Sequence, residues 1–156
     1  MAHTLYHSLI CNFLAASAPD QPPLTEEPGA LQFTVEALTC TVYPLEGGQQ
    51  LAMQCPVTTL AEVGPQRAAA VLRLLHGLNW ASWESTGIVA LIDQEDCVLV
   101  SKTLDIRLVD AHQLEEQMAS LLEAASHLTT MLKAATQPEE AAPRKPDHAI
   151  HHGRFA

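Results

Sequence analysis

Apolar residues recur along this chain with two different periods, and the places where the period changes mark the boundaries of its elements. Leu5, Leu9, Ile10, Phe13 and Leu14 return at three- and four-residue spacing, which predicts an amphipathic helix over residues 3–17. Pro19, Pro22, Pro23 and Pro28, followed by Gly29, then forbid regular structure across residues 18–30. From Leu31 to Val57 the period falls to two. Phe33 and Val35, then Leu38, Cys40 and Val42, then Leu51, Met53 and Cys55 alternate with polar or small neighbours. This pattern predicts three short antiparallel strands, with a break near Ala37 and a hairpin about Gly47-Gly48.

Residues 58–64 read as a connector, and Pro65 suits the first turn of a helix running to Leu78. Val71, Leu72, Leu74, Leu75 and Leu78 make that helix apolar over more than one face. Its own sheet can cover one of them, and the other calls for a second element or a second subunit. Asn79 to Gly87, with Trp80 and Trp83, reads as an aromatic turn. Ile88–Ile92 and Cys97–Val100 are almost continuously apolar around the polar turn Asp93-Gln94-Glu95-Asp96, the pattern of strands buried on two faces. Asp110 is a candidate N-cap for a last helix reaching Ala134, with a stripe of Leu114, Met118, Leu121, Leu122, Ala125, Leu128 and Leu132.

The predicted class is therefore α+β: a twisted, mostly antiparallel five-stranded sheet with three helices, in the order α-β-β-β-α-β-β-α. One domain is expected over residues 1–135, with the 18–30 loop inside it. Residues 136–156, with three prolines and mixed charge, are expected to be a disordered tail.

Charge narrows the choice of partners. The formal net charge is −10. In the tail, Arg144, Lys145 and Arg154 cancel Glu139, Glu140 and Asp147, so the whole excess lies on the domain. Such a body repels phosphate backbones and anionic membranes, which excludes nucleic acid as an expected partner. No apolar run approaches the roughly 18 residues that span a bilayer, and no signal peptide is recognisable. Membrane insertion is not expected. Cys11, Cys40, Cys55 and Cys97 are scattered without metal or redox spacing, as in a reduced, cytoplasmic protein.

Candidate chemistry is sparse. His148, His151 and His152 beside Asp147 have spacing that suits a divalent metal, but no Cys or second cluster completes a site, so no metal is expected. Cys11 and His7 lie four apart on one helix face, without an oxyanion donor or a third group. Ser101, His112 and Asp110 lack a nucleophile elbow, and Gly47-Gly48 does not lead into a phosphate loop. No catalytic residue and no cofactor are expected, which points to a binding protein.

Taken together, the order of elements and one local pattern resemble the class I chaperones of type III secretion systems, the family that includes the Tir chaperone. The local pattern is Leu72-Arg73-Leu74-Leu75, an Asn and aromatic segment, Gly87-Ile88-Val89-Ala90-Leu91, an acidic turn, Val98-Leu99-Val100-Ser101, and an acidic-capped last helix with Leu114-Glu115. The resemblance covers residues 3–134; the Pro-rich loop is longer than in the family, and the His-containing tail has no counterpart there. It implies a homodimer in the bacterial cytoplasm that binds the N-terminal segment of one or more secreted effectors in extended form, without turnover. The secretion-system ATPase is a further partner that it implies. It places Val71, Leu74, Leu75, Leu78, Trp80 and Ile88 at the dimer interface. It places Leu5, Leu9, Phe13, Phe33, Val35 and Val42 against the client. The alternative is a non-enzymatic adaptor or regulatory protein of related fold that binds a folded partner.

Overall fold

The computed structural model describes residues 4–22 and 24–137, with backbone alone at residues 82–84. Helix α1 (Leu5–Ser17) starts at Thr4, whose hydroxyl accepts from the His7 N–H and so satisfies one donor of the open first turn. Its buried stripe is Tyr6, His7, Leu9, Ile10 and Phe13. The stripe is turned from the one the Leu and Ile pattern suggests, and Leu5 is 53% exposed. Tyr6 explains the turn. Its hydroxyl donates to the carbonyls of Gly29 and Val42 at 3.0 and 3.2 Å, which fastens the end of the Pro-rich loop to the sheet.

Strands β1 (Leu31–Val35), β2 (Leu38–Pro44) and β3 (Gln50–Thr59) form a meander. Glu36 turns the first corner with φ 56°, and Gly47 and Gly48 turn the second with φ 91° and 67°. β3 runs further than the alternation predicts and carries a register shift between Pro56 and Thr58.

Two expectations are corrected. The connector after β3 holds a fourth helix, α2 (Leu60–Val63), set by a capping box in which Thr59 and Glu62 bond each other's main chain. The aromatic turn does not exist. After a 3-10 turn at Pro65–Arg67, helix α3 runs from Ala68 to Thr86, through Asn79 and Trp80, and stops only before Gly87 at φ 66°. No proline and no positive-φ residue interrupts residues 78–86, so nothing in the backbone ends the helix earlier.

Strands β4 (Val89–Ile92) and β5 (Cys97–Asp105) form the second hairpin. Its turn is organised by Asp93, whose carboxylate accepts from the N–H groups of Glu95 and Cys97 at 2.8 and 2.9 Å. Helix α4 (Ala111–Thr136) follows a second 3-10 turn (Ile106–Leu108) and begins at the predicted cap Asp110, which forms a capping box with Gln113.

The sheet is antiparallel throughout, in the order β1-β2-β3-β5-β4. β1 and β4 are its two edges. Helices α1, α3 and α4 lie on one face, over a core of Cys40, Val42, Leu51, Met53, Cys55, Val98 and Val100 from the strands. Of the predicted α4 stripe, Leu114, Met118, Leu121, Ala125, Leu128 and Leu132 are buried and Leu122 is half-buried.

Candidate protein-binding surface

The apolar residues fall into those the protomer keeps and those it leaves open. From the set assigned to a client, Leu9, Phe13 and Val42 lie in the core. Phe33 is half-buried and meets Phe13 edge to face at 5.3 Å. Leu5 and Val35 are exposed, at 53% and 52%. From the set assigned to a dimer, Val71, Leu75 and Ile88 are core, and Leu74 and Leu78 are partly buried against it. Trp80 stands 86% exposed. The structure therefore brings the two sets together mainly as one core, with a few members of each at the surface.

Two open apolar residues belong to neither set. Leu72 is 55% exposed and Leu108 is 76% exposed. On α3, the residues Ala69, Leu72, Arg73, His76, Gly77 and Trp80 form a continuous exposed face opposite Val71, Leu75 and Leu78. A Cβ added at Gly77 would meet nothing within 4 Å, so this face has a notch between Arg73 and Trp80. Beside it, a cleft of about 650 Å³ runs between α3, β4 and α4, with Leu78, Ile88, Leu128 and Met131 below and Glu123, Ser126 and His127 at its mouth. The side chain of Trp83, and His148, His151, His152 and Asp147, lie outside the described residues.

The two sheet edges differ. β1 bonds β2 on one side, and among the described residues no hydrogen bond occupies its other side. β4 is backed by α3, and the Asn79 side chain pairs with Ala90: Ala90 N–H donates to Oδ1 at 2.7 Å, and Nδ2 donates to the Ala90 carbonyl at 2.6 Å.

Chemistry is muted at all of these places. Burial pushes the Cys40 thiol up to about 12, with neighbouring Cys55 adding to the effect, and burial raises Cys55 itself. Cys97 is raised by burial and then by the carboxylates of Asp93, Glu62 and Glu95. These three thiols are kept from the reactive thiolate form. Cys11 Sγ lies 3.7 Å from a ring nitrogen of His7, on the α1 face rather than in the large cleft. Among the described residues no cluster of three or more His, Cys, Asp or Glu is placed to hold a metal, and no helix is long and apolar enough to cross a membrane.

Comparison with known proteins bears on this geometry. The chain superimposes on a chain of the ExsC–ExsE complex with TM-score 0.65 at 18% identity, over 81% of this chain and 92% of that one. It superimposes on a chain from the Yersinia pestis type III secretion chaperone SycH in complex with a stable fragment of YscM2, with TM-score 0.57 at 24% identity, over 79% and 98%. A chain of the heterodimeric ExoU–SpcU complex, from the type III secretion system of Pseudomonas aeruginosa, gives TM-score 0.62 at 15% identity, over 80% and 98%. At these identities the likeness is one of fold. Among curated proteins no sequence matches significantly. The sequence profile of the Tir chaperone protein (CesT) family matches residues 9–129, most of the chain, and the protein belongs to that family.

Proposed function

We propose that this protein is a type III secretion chaperone that binds the N-terminal segment of one or more secreted effectors in extended form and keeps them export-competent. Family membership carries the reading, and the open β1 edge beside Phe33 and Val35 fits it. An extended segment needs main-chain partners and places for alternate side chains, and an unpaired strand next to half-buried apolar residues offers both. The protein acts by binding and carries no enzymatic step. It works in the bacterial cytoplasm, where the net charge of −10 keeps a surface with exposed Leu and Trp soluble.

In this reading Leu5, Phe33 and Val35 contact the client, and Leu9, Phe13 and Val42 shape that surface from beneath. A second copy covers the exposed face of α3, with Leu74, Leu78 and Trp80 joined by Leu72, while Val71, Leu75 and Ile88 support it from the core. The secretion-system ATPase is the partner that receives the loaded complex.

The test is a tagged pull-down from the native bacterium under secretion-inducing conditions, followed by rebinding with isolated N-terminal fragments of each recovered protein. A secreted protein held through its N-terminal fragment is the expected result. Recovery only of partners that bind as folded domains would replace the chaperone reading with that of an adaptor.

A further inference from the structure

The meander brings together two cysteines that the sequence keeps apart. Cys40 on β2 and Cys55 on β3 are both fully buried and belong to the same core cluster. The register sets them opposite one another. Thr41 pairs with Gln54 and Val42 with Met53, so one step further along both strands Cys40 faces Cys55, on the side that Val42 and Met53 share. The hairpin also fixes what kind of pair this is. The Leu45 N–H donates to the Gln50 carbonyl at 2.9 Å, which makes these two residues a hydrogen-bonded pair. Bonded and non-bonded pairs alternate along an antiparallel ladder, so Tyr43–Ala52 and Thr41–Gln54 are bonded and Cys40–Cys55 is not. At a non-bonded pair the Cα atoms lie about 4.5 Å apart and the side chains are closest, within the roughly 4.4–6.8 Å that a disulfide spans. The next bonded pair would be Thr39–Pro56, and Pro56 has no N–H to give. The ladder accordingly ends at Thr41–Gln54, and β3 shifts register against β5 just beyond, between Pro56 and Thr58. The two thiols therefore lie where β2 and β3 are least tied, and local opening there reaches a site that the resting fold keeps closed.

We propose that Cys40 and Cys55 form a redox-responsive dithiol, which a small-molecule disulfide such as oxidised glutathione closes into a cross-strand disulfide that staples β2 to β3. One cysteine, deprotonated when the strands open, attacks a sulfur of the small disulfide and expels one small thiolate. The other cysteine thiolate then attacks the mixed disulfide and expels the second. Two S–H bonds and the small molecule's S–S bond break, and one protein S–S bond forms. The two electrons reduce the small disulfide, and the two protons end on the released thiols. Closure requires the Cys55 thiol to leave its weak contact with the Pro56 carbonyl at 3.8 Å. Cys40 is also the partner of Phe33 on β1, so the staple braces the strand that carries that edge. The proposal holds whether the bound partner is an extended segment or a folded domain.

The experiment uses the full reduced chain, incubated without denaturant in glutathione buffers of rising oxidised fraction, quenched with iodoacetamide and cut after glutamate. Cleavage at Glu26, Glu36, Glu46, Glu62, Glu95 and Glu115 puts Cys11, Cys40, Cys55 and Cys97 in separate peptides, read by mass spectrometry. The expected product joins residues 37–46 to residues 47–62 within one chain, is two hydrogens lighter than the reduced pair, and reverts with excess reduced glutathione. Urea unfolding at one protein concentration is expected to show a folding equilibrium constant about 100-fold higher after oxidation, from the loop the bond closes. Cys40→Ala, or Cys55→Ala where the first does not fold, should lose both the joined product and the rise. Glutathione attached to Cys40 or Cys55 without any joined product would overturn the pairing of the two thiols. Joining that appears only in urea would refute a route from the folded state. A joined product with no gain in stability would mean that the bond strains the register instead of stapling it, and the proposal would fail.

Discussion

Trp80 offers a sharp separation between an apolar helix that serves its own core and one that serves a partner. The perturbation is Trp80→Ala. The side chain is 86% exposed, so in an isolated protomer its loss should change stability by no more than about 0.5 kcal/mol, as for other surface positions. If a second copy covers it, truncating a buried interface tryptophan costs about 2–4 kcal/mol, which is about 30- to 1,000-fold in the dimer Kd. A two-fold interface repeats the change on both sides of its axis, which favours the upper part of that range. The assay is sedimentation equilibrium over a series of concentrations, with urea unfolding at a concentration where both proteins are monomeric, since dimer stability depends on protomer concentration. Leu75→Ala is the contrasting control. Leu75 is 5% exposed in the core, and its truncation should cost about 2–5 kcal/mol at every concentration. For the same reason glutamate placed at Leu74 and Leu75 would test folding rather than association, and Leu72→Glu, at a 55% exposed position, is the informative substitution. An unchanged dimer Kd in Trp80→Ala would refute the assignment of this helix face to a second copy.

Three further outcomes are expected. Tyr6→Phe removes a hydroxyl donor from the Gly29 and Val42 carbonyls and should cost about 1–2 kcal/mol in urea unfolding; it should also speed proteolysis within residues 18–30, and an unchanged cleavage rate would mean the loop is anchored elsewhere. Stability should fall on the alkaline side: the Cys40 thiol is raised from 9.0 to about 12 and Tyr6 from 10.0 to about 12, so above pH 9 the unfolded chain holds fewer protons than the folded one. That contribution is complete below pH 9 and lost as pH rises to about 12; Cys40→Ala should flatten the first part of the decline, and an identical pH profile would exclude Cys40 as its source. Val35→Glu, at a 52% exposed position on β1, should leave urea unfolding within about 0.5 kcal/mol and weaken binding of a client N-terminal fragment about tenfold by calorimetry; unchanged affinity would move the client off this edge.

The parts of the fold that could be read from the sequence are those where local pattern and tertiary burial agree. Helix α4 keeps its stripe because Leu114, Met118, Leu121, Ala125, Leu128 and Leu132 are purely apolar and have one face to fill. The meander and the acidic hairpin turn follow from strict alternation and from Asp93. On α1 the expected Leu9, Ile10 and Phe13 are buried, but Tyr6 and His7 replace Leu5 at the start of the stripe because both are amphipathic, and the Tyr6 hydroxyl is satisfied by carbonyls 23 and 36 residues away. Asn79, Trp80, Ser82, Trp83 and Ser85 are only middling helix formers, so propensity alone does not carry α3 to Thr86. In the fold, Asn79 finds its partners on β4, and that non-local pairing stays on the helix. The α2 capping box, by contrast, is wholly local, set by the Thr-x-x-Glu spacing of Thr59, Leu60, Ala61 and Glu62.

The binding surface was harder to read for a reason that lies in the pattern itself. Apolar periodicity reports that a face is covered and says nothing of what covers it. Residues chosen because they fit a stripe, such as Leu9, Phe13, Val71 and Leu75, are therefore the ones a protomer is most able to bury unaided. The residues left for a partner are apolar ones out of phase with their own element's buried stripe. Leu5 precedes the α1 stripe at Tyr6, Leu9, Ile10 and Phe13. Leu72 and Trp80 lie eight apart, on the α3 face opposite Val71, Leu75 and Leu78. Each is an exposed large side chain that folding does not account for, at 53%, 55% and 86%. An apolar residue that breaks its helix's own period is thus a stronger pointer to a partner than one that obeys it, because the core gives no reason for its being there.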